Sequence, residues 1–220
     1  MPGNGSAHAL NKDELWTEVL RRTGLLASKS CLFVALVLLA GQPIWAGTIL
    51  GRVFRTGSPA RLSDFVVSVE EIQGVFPAPK EAAVMDQTDL RFVPHILPIQ
   101  VGTWVEFPNS DPVSHNVFSI SPAKRFNLGL YVRGAKRRIQ FDQPGVVELL
   151  CNVHLEMSGY IVVLKNPHFA RTASDGTYRI AGVPAGRYRL RCWHESLPAQ
   201  ERVVQVPEAG SLSVDFPMGK

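Results

Sequence analysis

The sequence contains few cysteines and few charged residues, and it lacks the short motifs of several large enzyme classes. Only three cysteines occur in 220 residues, which is too few for a disulfide framework. Charged residues make up 19% and the formal net charge is +4, without the concentrated basic charge typical of nucleic-acid-binding proteins. No glycine-rich phosphate loop, G-x-S-x-G or H-E-x-x-H motif occurs, and no internal repeat of solenoid length is visible. We therefore expect no nucleic-acid partner and find no support for these enzyme classes.

The residues that are present indicate a folded, all-β protein. Apolar residues make up 45% of the chain, enough for a buried core, and 18 glycines and 16 prolines indicate many turns. Short apolar or alternating runs recur about every ten residues, and no long segment has helical periodicity, so we expect β-sandwiches. These runs are Phe65–Val69, Gln100–Phe107, Arg138–Phe141, Val146–Leu150, Tyr160–Leu164, Tyr178–Ile180, Arg187–Cys192 and Val203–Val206.

The first 46 residues have the features of an export signal. Basic residues precede the apolar run Cys31–Ala40, and Ala46 offers a small residue at a possible cleavage point. An uncleaved membrane anchor is the alternative, because Leu32–Leu50 is nearly apolar, although Gln42-Pro43 interrupts it. Both interpretations place the chain from residue 47 onward in the periplasm or another extracytoplasmic compartment. We expect contact with a membrane only if the segment 1–46 is not cleaved.

The run Arg187–Cys192 alternates between apolar residues and arginines. Its parity places Cys192 on the core side of a strand, as an inert buried thiol. A disulfide between Cys192 and Cys151 is the alternative, because an exported protein meets an oxidising compartment. We interpret the three arginines, with Arg179 expected on a neighbouring strand, as a solvated face.

Four side chains with metal-ligand chemistry occur in two short segments. Cys151, His154 and Met157 form a C-x2-H-x2-M loop after the predicted strand Val146–Leu150, and His115 lies upstream. A thiolate, two imidazoles and a thioether suit a trigonal copper site with a weak axial methionine. The thioether disfavours zinc, which prefers cysteine, histidine and carboxylate ligands. Three ligands in one loop can turn toward one point, and His115 on another strand would fix the site to the sandwich. We therefore predict one copper ion.

Each of these residues also has a purely structural interpretation. Cys151 could be a core thiol, the two histidines loop residues and the methionine a core filler. The four together, with the turn Phe141–Gly145 feeding the strand that ends at Cys151, favour the metal site. His95 and His168 have no such neighbours and are interpreted as ordinary strand-edge or loop residues. Trp193-His194-Glu195 is interpreted as a structural turn, with a second, weaker site as the alternative.

Several strings follow one another in an order that resembles a known family. They are Phe92-Val93-Pro94, Val101–Asn109, His115-Asn116-Val117, the Phe-x2-Pro-Gly turn and the Cys-x2-His-x2-Met loop. Through them, residues 84–165 resemble a cupredoxin of the plastocyanin/amicyanin type, and the loop spacing is most similar to amicyanin. The exported chain also resembles methylamine utilisation proteins, through the strings Phe107–Asp111 and Cys151–His154. Leu155 departs from the proline common after the loop histidine.

The cupredoxin resemblance implies a Greek-key β-sandwich with a type 1 (blue) copper site. It implies Cys151, His115 and His154 as equatorial ligands and Met157 as the axial ligand. It also implies that Asn116 ties the two ligand loops together by hydrogen bonding, and that His154 lies near the surface, so that electrons pass through its ring edge. A site held by the fold changes little between Cu(I) and Cu(II), so electron transfer needs little reorganisation.

The sequence on either side of residues 80–165 resembles a second family. Gly47–Val53 and Phe65–Glu70 resemble the opening strands of a carboxypeptidase regulatory-like (transthyretin-like) β-sandwich, and Asp175–Leu190 resembles its closing half. We therefore predict that the cupredoxin domain, 80–165, is inserted into a second sandwich formed by 47–79 and 166–220. Neither flank alone could bury a core. The alternative is a single cupredoxin decorated with flanking strands.

The leading functional hypothesis is an exported one-electron carrier that is not an enzyme. A single copper passes one electron, and the H-x-H pairs of multicopper oxidases and the C-x3-C of a dinuclear copper site are absent from the sequence. There are two alternatives. One is a protein that holds or delivers copper, and the other is a copper-free β-sandwich binding module. Lys124-Arg125 and Lys136-Arg137-Arg138 suggest an acidic redox partner, such as a c-type cytochrome or a dehydrogenase, unless they are only a solvated face.

Overall fold

The computed structural model describes residues 46–55 and 64–219, and within these ranges the chain is all β with no helix. The all-β prediction is thus confirmed. The predicted export segment, residues 1–46, lies outside the described residues except for Ala46. Across 46–55 and 64–219, no helix has the length and apolar character needed to cross a membrane.

The strands in chain order are β1 (Ala46–Arg55), β2 (Val66–Glu70), β3 (Ala83–Val84), β4 (Asp86–Thr88), β5 (Arg91–Val93), β6 (Ile96–Gln100), β7 (Trp104–Pro108), β8 (His115–Ser119), β9 (Phe126–Tyr131), β10 (Lys136–Gln140), β11 (Gly145–Leu150), β12 (Ser158–Leu164), β13 (Phe169–Arg171), β14 (Thr177–Pro184), β15 (Gly186–His194), β16 (Leu197–Val206), β17 (Ser211–Ser213) and β18 (Phe216–Met218).

The first and last parts of the chain together form two sheets, which we call the flank sandwich. One sheet has the order β14-β1-β17, with β18 also pairing with β1, and the other has the order β13-β2-β15-β16. Their shared core contains Ile49, Val67, Leu190 and Cys192. The alternating pattern of β15 explains this placement, because Leu190 and Cys192 are buried while Arg191 between them is exposed.

The middle of the chain forms two further sheets, which we call the central sandwich. Their orders are β10-β7-β3 and β6-β12-β11-β8-β9, with the hairpin β4-β5 beside them. Val147 and Leu149 of β11 point into the core, where they join Phe107 and Phe141. Within the described ranges, β3 to β12 pair only with one another, and the flank strands do likewise. This is the pairing that an insertion produces, and the domain boundaries at 79/80 and 165/166 remain a prediction.

The two sandwiches belong to one compact unit and meet through a small apolar contact. Val66 of β2 packs with Ile96 and Val162, and Tyr160 and Trp193 pack against them. Beside this contact, His95 binds Glu195 of the β15–β16 turn at 2.7 Å between Nε2 and Oε1. His95 and Glu195, which the sequence marks only as ordinary loop or turn residues, thus join the two sandwiches.

Two details of the strand prediction are wrong. The run Gln100–Phe107 is not one strand, because β6 ends at Gln100 and the chain turns before β7 begins at Trp104. Gly102 permits this turn, since its φ of 88° lies in a region that favours glycine. Arg179 is also not beside the β15 arginines, because β14 pairs with β1 in the opposite sheet of the flank sandwich.

Candidate metal centre

The predicted ligands lie at one end of the five-stranded sheet of the central sandwich. His115 is the first residue of β8, and Cys151 follows the last residue of β11. β8 and β11 are neighbours in this sheet, paired at Phe118 and Leu150. Sheet pairing therefore brings His115 to the loop 151–157, which carries the other predicted ligands before β12 begins.

The structure brings His115, Cys151 and His154 together. One ligand atom from each residue can be chosen so that all three lie within 4.8 Å of one another. The Nδ1 atoms of His115 and His154 are 3.1 Å apart, and the two rings meet at an interplanar angle of 63°. No other group of three or more His, Cys, Asp or Glu side chains in 46–55 and 64–219 has this geometry.

These spacings fit a metal ion bound by nitrogen and sulfur. Metal–nitrogen bonds of about 2.0 Å and metal–sulfur bonds of about 2.3 Å put neighbouring donor atoms about 3 to 4 Å apart. The 3.1 Å between the two Nδ1 atoms lies in this range, and no pair among the three donor atoms is more than 4.8 Å apart. The donor set itself, one thiol and two imidazoles, is one that soft transition metals prefer.

Three of the four predicted ligands are shielded from solvent, while the fourth is not. His115, Cys151 and Met157 are all buried, whereas His154 is partly exposed. Leu155, next to His154, is 83% exposed, and Val153 is also exposed. The described site is therefore closed by the fold except at the ring of His154 and its apolar neighbours.

Met157 ends the ligand loop and is buried in the core of the central sandwich. Its backbone N–H donates to the carbonyl of His154 at 3.0 Å, which closes a turn between the two residues. Its side chain belongs to the same core as that of Cys151. The structure therefore places the thioether in the buried interior next to the ligand loop.

Asn116 does not make the hydrogen bond that the resemblance implies. Its side-chain amide donates to Oδ1 of Asn127 at 2.8 Å, which joins β8 to β9 and not to the Cys151 loop. The Asn116 Oδ1 is buried without a hydrogen-bond partner among the described residues. The physical reason is the sheet order, since β9 is the direct neighbour of β8 on the side where the amide points.

Asp111 is a member of the site that the sequence interpretation missed. Its Oδ2 lies 2.7 Å from Nε2 of His115, and both side chains are buried. Burial raises the pKa of the Asp111 carboxyl group, but hydrogen bonds from the Leu90 N–H, His115 and the Asp89 N–H outweigh burial and hold that pKa below its usual value. A ligand histidine usually donates its second ring N–H to a carboxylate, a carbonyl or a water, so an acidic residue as near in sequence as Asp111 is to His115 is a usable signal.

Cys192 does not belong to the group of proposed metal ligands, because it lies in the core of the flank sandwich. Cys151 and Cys192 are both free and buried, and they belong to the cores of different sandwiches. The alternative disulfide between them is therefore wrong, while the interpretation of Cys192 as a core thiol is confirmed. Burial raises the pKa of the Cys192 thiol to about 12, which keeps it protonated and unreactive.

The basic residues named for partner docking are partly engaged within the chain. Lys136 binds Glu106 at 2.8 Å, and the guanidinium of Arg138 lies 4.6 Å from the centre of the Trp104 ring. The guanidinium of Arg137 likewise lies over the ring of Tyr131, 5.2 Å from its centre. All three remain exposed on β10, an edge strand of the central sandwich, so their charges stay accessible to a partner.

Comparisons with known proteins show partial likeness to copper proteins. No protein-family model matches the chain, and no curated protein matches it. A purple cupredoxin from Nitrosopumilus maritimus is 28% identical over 37% of this chain and 99% of its own, with a TM-score of 0.34. A reduced amicyanin variant is 18% identical over 44% of this chain and 98% of its own, with a TM-score of 0.37.

A copper-containing nitrite reductase from Thermus scotoductus SA-01 is 24% identical over 51% of this chain, with a TM-score of 0.38, and the match spans 28% of that enzyme. These likenesses cover about half of this chain or less, so they do not assign it to a family. The resemblances to methylamine utilisation proteins and to carboxypeptidase regulatory-like domains remain predictions.

Proposed function

We propose that this chain is a type 1 copper protein that carries single electrons outside the cytoplasm. His115, Cys151 and His154 would hold the ion, with Met157 as the weak axial ligand. The observation that carries the proposal is the convergence of the three donor atoms within 4.8 Å of one another. Copper bound there would supply a one-electron couple between Cu(I) and Cu(II).

The chemistry of the side chains favours copper over the commoner zinc. Cys151 provides a soft sulfur donor in a buried position, and the thioether of Met157 lies in the same core. Thioether ligands suit copper, whereas zinc sites are built from cysteine, histidine and carboxylate. Within 46–55 and 64–219, the only carboxylate that is hydrogen-bonded to a proposed ligand is that of Asp111, and it contacts Nε2 of His115, whereas Nδ1 of His115 faces His154.

The fold supports transfer of electrons without large movement. His115 and Cys151 are anchored at the ends of two neighbouring strands, and the turn from His154 to Met157 fixes the remaining donors. A close-packed interior resists displacement of such groups. The chain can therefore hold nearly the same donor positions in both oxidation states, which keeps the reorganisation energy small.

His154 offers the route by which electrons would leave or enter. It is the one proposed ligand that is partly exposed, and Val153 and Leu155 beside it give a small apolar contact surface. Lys136, Arg137 and Arg138 would attract an acidic redox partner, such as a c-type cytochrome or a dehydrogenase. The extracytoplasmic location rests on the export features of residues 1–46, and we assign no catalytic reaction to the site.

Electron exchange and copper release distinguish a carrier from a copper-delivery protein. The full-length protein, loaded with one copper per chain, is mixed in its oxidised and reduced forms, and electron self-exchange is measured by NMR line broadening. Transfer of Cu(I) to a competing chelator is measured in parallel. Exchange that is much faster than release supports the carrier. Release that outpaces exchange would assign the same ligands to copper delivery.

A further inference from the structure

We propose that Asp111 is a positioning residue for the metal centre, where its carboxylate holds His115 with a proton on Nε2 and with Nδ1 free to bind copper. The inference deepens the proposed function and rests on the copper site described above. It assigns a role to an acidic side chain that contacts no other proposed ligand.

The contact between the two residues is short and enclosed. Oδ2 of Asp111 lies 2.7 Å from Nε2 of His115, and the exposed fractions of the two side chains are 5% and 0%. A carboxylate can only accept hydrogen bonds, so the proton in this contact belongs to Nε2 of His115. The Nδ1 atom, which faces His154 at 3.1 Å, is then the atom with a free lone pair.

The same carboxylate also holds the turn of the hairpin β4-β5. The backbone N–H of Asp89 donates to Oδ1 at 2.6 Å, and that of Leu90 donates to Oδ2 at 2.9 Å. Asp89 and Leu90 have φ values of 52° and 57°, which are uncommon for residues other than glycine. Asp111 thus stabilises an unfavourable backbone turn and a ligand histidine at once, so movement of one is resisted by the other.

Asp111 is itself held in place by its neighbours. Its backbone N–H donates to Oδ1 of Asn109 at 3.0 Å, and the Asn109 side-chain amide donates to the carbonyls of Val113 and Tyr131. These bonds shape the segment between β7 and β8 that leads to His115. The carboxylate is therefore positioned before any metal binds, which is the condition for it to orient the ligand.

A carboxylate partner changes the donor strength of the histidine as well as its orientation. A hydrogen bond from Nε2 to a negative group makes Nδ1 a stronger donor, and the added negative charge favours Cu(II) over Cu(I). Removing the charge should therefore weaken Cu(II) binding more than Cu(I) binding. A residue that only caps the hairpin turn would instead change stability and leave this ratio alone.

The test compares Asp111→Asn with Asp86→Asn in the full-length protein. Asp86 is a matched control, because it accepts from the Ser110 hydroxyl at 2.8 Å and the Gln87 N–H at 2.7 Å beside the same hairpin, without touching a ligand. We expect Asp111→Asn to lower Cu(II) affinity about 10- to 100-fold, the usual cost of losing such a partner, with a smaller loss for Cu(I). Asp86→Asn should leave both affinities within about twofold, because it leaves that partner in place.

A second measurement needs neither copper nor a variant. Long-range ¹H–¹⁵N correlation spectra of the wild-type apoprotein report which nitrogen of His115 carries the proton. A proton on Nε2 supports the proposal, and a proton on Nδ1 overturns it even if Asp111→Asn fails to fold. Equal losses of Cu(II) and Cu(I) affinity in a folded Asp111→Asn would also overturn it. If the wild-type protein binds no copper, the proposed function fails while the tautomer still decides the role of Asp111.

Discussion

The Nδ1 atoms of His115 and His154 lie 3.1 Å apart, although 39 positions separate the two residues in the sequence. His115 comes from the start of β8, and His154 comes from the loop between β11 and β12. The pairing of β8 with β11 brings these two segments together, so the centre depends on long-range sheet formation. The loop alone can supply no more than three of the four proposed ligands.

The two buried cysteines should behave differently when replaced. Cys151→Ser removes the soft sulfur donor and should abolish the visible absorption of the Cu(II)-loaded protein, because that absorption arises from a copper–thiolate bond. Cys192→Ala is the control, since Cys192 lies in the core of the flank sandwich. Absorption spectra of both variants check the prediction. Persistence of the colour in Cys151→Ser would remove Cys151 from the ligand set.

Replacing the proposed axial ligand should alter the potential but retain the colour. Met157→Leu removes the thioether that favours Cu(II), so the midpoint potential should rise. The swap conserves volume and should cost less than about 1.5 kcal/mol of stability. Met85→Leu is the control, because Met85 is buried in the same core. Voltammetry measures both variants, and an equal shift in both would mean that Met157 acts only through packing.

The domain prediction implies that the two sandwiches can be separated. The segment 80–165 alone should fold and bind copper, because β3 to β12 pair only with one another within the described ranges. The segments 47–79 and 166–220, joined by a short linker, should give a folded β protein without a copper site. Circular dichroism and copper titration test both. An unfolded 80–165 would favour the single decorated sandwich.

Association with an acidic partner should depend on ionic strength. The Debye length falls to about 10 Å at 0.1 M salt, so attraction between exposed charges is screened over longer distances. The two proteins should therefore associate more slowly, and electron transfer to the partner should slow, as salt is added. Lys136→Gln, Arg137→Gln and Arg138→Gln together should slow it about 10-fold or more at low salt and leave the copper spectrum unchanged.

Three arginines of the flank sandwich, Arg179, Arg187 and Arg191, provide a control with the same loss of charge. In this control, all three arginines are replaced by Gln. The rate of electron transfer is then measured by stopped flow at several salt concentrations for both triple variants. Equal slowing would mean that only net charge matters. Rates indifferent to salt and to both variants would mean that docking is apolar, around His154 and Leu155.

Stability should fall at alkaline pH partly because of Cys192. Burial raises the pKa of this thiol from 9.0 to about 12, so the folded state keeps a proton that the unfolded state releases. Its contribution to stability is complete below pH 9.0 and is lost as the pH rises toward 12. Urea denaturation of wild type and Cys192→Ala at several pH values checks this. The variant should show a shallower decline, and identical declines would contradict the assignment.

Much of the strand pattern could be predicted because a strand repeats every two residues. The alternation in β15 correctly places Cys192 in a core, with Leu190 on the same face. The prediction of one strand over Gln100–Phe107 is wrong, because the chain turns within this run at a point that depends on the backbone of Gly102. Which strands pair is harder to predict from the sequence, and the prediction that Arg179 lies on a strand beside β15 is wrong for this reason.

The local part of the site was easier to predict than its surroundings. Cys151, His154 and Met157 are close in sequence, so their spacing alone suggests a shared centre. The role of Asp111 depends on a contact between two segments and on a hairpin turn with positive φ values at Asp89 and Leu90. The partner of Asn116 likewise depends on which strand lies beside β8.

The visible and electron paramagnetic resonance spectra of the full-length protein loaded with Cu(II) test the central claim most directly. A trigonal site with a Cys151 thiolate predicts intense absorption in the visible range and narrow copper hyperfine splitting, because the unpaired electron is shared with sulfur. A colourless Cu(II) protein with the wide splitting of an ordinary tetragonal site would contradict the assignment of His115, Cys151, His154 and Met157 as a type 1 copper centre.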